Sequence, residues 1–143
     1  MRLDYYSAAE GVDIASDRAD LCHLADLVAS GGELSLAPSA QPRRLRGVLI
    51  DETPGPVAIR VDDRGYLTIH GGAESRSLLA DLLRDVADMD DGGHVHLEYF
   101  EGHHFLSPDS VPLIVNSPHG GMPGRSVDQD AAGEPERRRR ADK

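Results

Sequence analysis

The chain is 143 residues long with a hydrophobic fraction of 39%, no tryptophan, four tyrosines and two phenylalanines. That suffices for one domain packed mainly by aliphatic side chains. Its formal charge of −10 disfavours nucleic acid as a partner, because that binding depends on neutralising phosphates. No apolar run is long enough to cross a bilayer and no charged-then-apolar leader opens the chain, so a cytoplasmic protein with no membrane partner is expected.

The single Cys22 excludes an internal disulfide. Residues 1–116 hold nine arginines against twenty Asp and Glu, or −11 with histidines neutral. The remaining basic charge is Arg125, the arginines at 137–140, and Lys143. A partner protein with a basic patch is the electrostatic match for such a body. Arginine outnumbers lysine fourteen to one, the bias of a GC-rich bacterial genome.

In chain order, residues 2–6 alternate as a short strand, Gly11 breaks it, and residues 12–14 resume the alternation. Ser16 is the expected N-cap of a helix reaching about Ala29, with Leu21, Leu24, Ala25 and Val28 as its buried stripe. His23 lies off the stripe, in solvent. Gly31-Gly32 end the helix, residues 33–36 and 45–50 are strands, and Pro54-Gly55-Pro56 marks a break. Residues 57–62 and 66–70 form a hairpin about Asp63-Arg64-Gly65. A second helix spans about 74–89, with Leu79, Leu82, Leu83 and Val86 inward.

Gly92-Gly93 then release a strand from His94. In it His94, His96, Glu98 and Phe100 share one face, and Val95, Leu97 and Tyr99 the other. A loop with Gly102, Pro108 and Asp109 leads to a last strand at 111–115.

The halves 1–53 and 54–116 read alike: strand, strand, helix, Gly-Gly, strand, proline-containing loop, strand. Both helices contain Leu-Ala-Asp-Leu, at 24–27 and 79–82. The expected fold is α+β, a two-layer, largely antiparallel sheet with both helices on one face, built from a ββαββ unit used twice. Its outline resembles the saddle of the TATA-box-binding protein in shape alone. Residues 117–143 are polar and nearly free of aliphatic side chains, so a disordered tail is expected there.

No GxSxG, P-loop or Rossmann fingerprint is present, so neither a catalytic residue nor a cofactor is expected. If the helices cover one sheet face, Arg60, Asp62, Tyr66, Thr68, His70, His94, His96 and Glu98 occupy the other. Such a mixture of rings and charges suits partner binding. The alternative is a metal-binding or hydrolytic protein, with His94 and His96 as strand-borne ligands joined by His103 or His104. Against it, neither HExxH nor CxxC occurs.

The run HVHLEYFEGHHFLSPDSVPLIV at 94–115 resembles the closing segment of the immunity protein 32 family. The likeness covers residues 1–116 in layout, the N-terminal strand and helix included, and 94–115 as a motif: His-x-His-Leu-Glu-Tyr-Phe, Gly-His and Phe-Leu in the loop, and Ser-Val-Pro-Leu before the last strand. The family comprises small proteins, common in actinobacteria, assigned to bacterial polymorphic toxin systems. The resemblance implies an α+β protein that binds and neutralises a toxin without catalysis.

Overall fold

The computed structural model describes residues 1–90 and 92–119. The elements are β1 (Arg2–Ser7), β2 (Gly11–Ala15), α1 (Arg18–Ser30), β3 (Gly32–Ser35) and β4 (Gly47–Glu52), then β5 (Ala58–Val61), β6 (Tyr66–Gly71), α2 (Ala73–Ala87), β7 (His94–Leu97) and β8 (Leu113–Asn116). The class is α+β, as the sequence indicates. Asp17 rather than Ser16 caps α1, its carboxylate accepting the Asp20 N–H at 2.8 Å. One step further along the chain, a carboxylate also favours the positive end of the helix dipole.

The single, largely antiparallel sheet is not what forms. The strands divide into two four-stranded sheets, ordered β1-β2-β8-β7 and β3-β4-β6-β5. In each the outer pairs are antiparallel and the central pair, β2 with β8 or β4 with β6, is parallel. Local alternation reveals sequence-adjacent hairpins. It carries no trace of a parallel pairing between strands from different halves.

Each half therefore contributes its first two strands to one sheet and its last two to the other. The loops stitch the sheets together. Leu45 N–H donates to Leu3 O on the outer edge of β1 (2.8 Å), and Val57 N–H donates to Phe105 O beside β5 (2.7 Å). Gly11 shows how tight one such junction is. Its φ is +85°, and a Cβ there would lie 2.1 Å from the Pro112 carbonyl oxygen, so only glycine fits.

The inner faces of both sheets and the stripes of both helices make one core, centred on Leu24, Val28, Leu79, Leu83 and Val86 with Ile14, Ile59, Leu67, Ile69 and Val115. The helices pack on each other, and they run antiparallel. Arg18 at the start of α1 pairs with Asp88 just past the end of α2 (2.8 Å), while Arg76 in the first turn of α2 reaches the last carbonyls of α1.

Two strand ends also differ from the alternation. β7 stops at Leu97, because its partner β8 begins only at Leu113; Val111 N–H instead donates to Ile59 O beside β5. Packed chain also continues past Asn116. Ser117 is buried and its N–H donates to Gly93 O at 2.9 Å. Of the polar tail expected at 117–143, residues 120–143 lie outside the described residues.

Candidate functional site

The residues expected to share one open face sit in two places. Arg60 on β5 and Tyr66, Thr68 and His70 on β6 share the outer face of the second sheet, opposite the buried Ile59, Leu67 and Ile69. His94 and His96 belong to β7, an outer strand of the first sheet, with Glu98 just beyond it; all three are exposed. The grid is therefore split between sheets. What joins its parts is the β7–β8 loop, which leaves β7 and crosses to the edge of β5.

On the second sheet, Asp62 is a turn cap before it is anything else. Its carboxylate accepts the backbone N–H groups of Arg64 (3.0 Å) and Tyr66 (2.9 Å) and the Arg64 guanidinium (2.9 Å). These bonds, that from Tyr66 foremost, hold its carboxyl below the usual carboxylate range. The Tyr66 ring lies against two guanidiniums, Arg64 at 5.2 Å and Arg46 at 5.8 Å from its centroid. His70 stands 3.8 Å from the Asp51 carboxylate.

Arg60 pairs with Asp109 of the β7–β8 loop, and Ser107 donates to the same carboxylate. The Ser107 hydroxyl, and after it Arg60, lowers the Asp109 pKa. The loop is built on His103. Its N–H donates to Phe100 O at 2.9 Å, and its Nδ1 accepts the N–H groups of Phe105 (3.3 Å) and Leu106 (3.1 Å). An Nδ1 that accepts carries no proton, so the ring is the neutral Nε2–H form. Burial, and after it the neighbouring His104, pushes its pKa down. His104 stacks on His103 with the ring centroids 5.4 Å apart, and Phe105 meets both rings edge-on.

This arrangement does not assemble the metal set. His103 is committed to backbone donors through Nδ1, and His96 faces Glu98 at 3.6 Å. Among the described residues, no group of three or more His, Cys, Asp or Glu is placed to hold a metal ion.

Two residues with structural or surface prominence escaped sequence reasoning. Arg76 is buried, and Phe100, which the alternation grouped with His94, His96 and Glu98, lies past the end of β7 and is exposed. A sequence signal existed for Arg76. The shared Leu-Ala-Asp-Leu aligns it with Leu21, a core position, so an arginine there needed an internal partner.

The part of the chain that carries β6, α2, β7 and β8 also carries a likeness to known proteins. The family model described as Immunity protein 32 matches residues 66–118. The match supports the immunity protein 32 resemblance over the 94–115 motif and back through α2 to β6; the likeness in layout over residues 1–65 lies outside it. No curated protein and no solved structure matches the chain. No helix among the described residues is long and apolar enough to cross a membrane.

Proposed function

We propose that this chain is an immunity protein that binds a cognate toxin effector and neutralises it by steric and electrostatic blockade, with no reaction of its own. The observation that carries this reading is the match of the immunity protein 32 model to residues 66–118. The net charge of −10 supports a partner with a basic patch, since opposite potentials speed encounter and fix orientation. The surface offered is the β7 segment with His94, His96 and Glu98, together with the second-sheet face around Arg60, Asp62, Tyr66 and His70. The chain acts where the toxin would otherwise harm its own producer, in the cytoplasm.

The test is protection. Where a toxin domain is encoded beside this gene, its expression should arrest growth, and co-expression of this chain should restore it through a stoichiometric complex. Restored growth without a complex, or no restoration at all, would discard the reading. Charge reversal should be made at Glu98 and not at Asp62. Asp62→Lys removes the cap of the β5–β6 turn, so a loss of binding would not report on the interface.

A further inference from the structure

Among the described residues Phe100 is the most exposed large hydrophobic side chain, at 62%, while the other phenylalanine, Phe105, is 5% exposed. A lone exposed ring is ordinary on a protein surface. This one differs because the backbone beneath it is fixed at both ends. Gly102, at φ +88°, and the His103 N–H to Phe100 O bond close the turn that carries it. His103 Nδ1 gathers the next two free N–H groups, and the buried Phe105 and Leu106 pin the far side. Phe105 O and Ser107 N–H then both bond to Val57 at 2.7 Å. The Phe100 ring rests on the His103 imidazole, with the centroids 4.7 Å apart. Exposed carboxylates flank it at Glu98 and Glu101.

We propose that Phe100 is the anchor of the complex: its ring enters an apolar pocket on the partner protein, and lysines or arginines around that pocket meet Glu98 and Glu101. The inference rests on the immunity reading and gives it a point of attachment. A ring already held in place loses little conformational entropy on docking, which is what makes preorganised aromatics dominate interfaces. The carboxylates at its rim select a basic surround and repel an acidic one. Glu98 stands 3.6 Å from His96, so the rim adjoins the exposed side of β7.

The experiment is calorimetry and stopped-flow binding, using as the probe an inactivated form of any toxin domain found encoded beside this gene. Phe100→Ala should weaken binding about thirtyfold or more, mainly through faster dissociation, with an unchanged thermal midpoint. Phe100→Leu should recover part of the loss. Glu98→Lys with Glu101→Lys should slow association, most of all at low salt. If the wild-type chain binds and Phe100→Ala binds within twofold of it, the anchor assignment is wrong while the immunity reading stands. If the wild-type chain neither binds this domain nor protects against it, the immunity reading falls and the anchor falls with it.

Discussion

The guanidinium of Arg76 donates from Nη1 to the carbonyl of Val28 at 2.9 Å, joining the first turn of one helix to the last turn of the other. The same group donates to Ala29 O at 3.2 Å and, through Nε, to Gly71 O at 2.9 Å. A cation is thereby placed against the negative end of the α1 dipole and supplies carbonyls that the helix itself leaves without donors.

Arg76→Met should therefore cost roughly 2–4 kcal/mol, since buried carbonyls lose charge-assisted bonds. Glu52, 3.6 Å from the guanidinium but 74% exposed, matters less. Glu52→Gln should cost under about 0.5 kcal/mol. Urea unfolding with unchanged slope checks both values, and equal losses would show that the ion pair, not the carbonyl capping, is the stabilising contact.

Gly11 and Gly55 make a matched pair. Both have positive φ, +85° and +94°, but a Cβ at Gly55 meets nothing within 4 Å whereas one at Gly11 meets Pro112 O. Gly55→Ala should cost about 1–2 kcal/mol, the left-handed penalty alone. Gly11→Ala should cost clearly more or prevent folding, as read by denaturant midpoints.

Asp62 sets an acid-side dependence. Its folded pKa is depressed, so the stability it contributes is present above the unfolded carboxylate value near pH 4 and is lost as pH falls through the folded value. Asp62→Asn should lower the thermal midpoint at pH 7, and the gap to wild type should close as the pH is taken toward 3. Asp109 titrates in the same direction, so the comparison must be between variants at each pH.

His103 acts in the same direction, at higher pH. Its folded pKa is lowered, so its neutral form stabilises the fold above the unfolded value of about 6.5, and this is lost as pH falls from there toward the folded value. Protonation also turns Nδ1 from acceptor to donor, opposing the Phe105 and Leu106 N–H groups. Between pH 7.5 and 5.5 the wild-type midpoint should fall further than that of His103→Asn. Parallel curves would show that the ring stays neutral throughout or is not what holds the loop.

Both helices and most hairpin strands were legible because spacing reports which side of an element is wet. Leu21, Leu24, Ala25 and Val28 are buried as their periodicity indicates, and so are Leu79, Leu83 and Val86, while Leu82 of the same expected stripe is only partly buried. The partition into two sheets was not legible, because strand exchange between halves leaves no mark on local alternation. The split of the candidate site follows from that. Arg60 and His94 lie on correctly assigned outward faces, but of different sheets. His103 looked like a metal ligand because sequence cannot show that its Nδ1 is taken by backbone donors.

The exchange of strand pairs has a consequence for assembly. Neither half owns a complete sheet: residues 1–53 hold β1 and β2 of one and β3 and β4 of the other, and the parallel seams at β2–β8 and β4–β6 need both halves. Each half alone would present two unpaired central edges, the most adhesive surface a strand can offer. A growing chain therefore gains no finished unit until its last strand is made, and folding must wait for contacts about a hundred residues apart, such as Val12 with Leu113. A cut beside Gly55 should accordingly yield two pieces that aggregate singly and reunite when mixed.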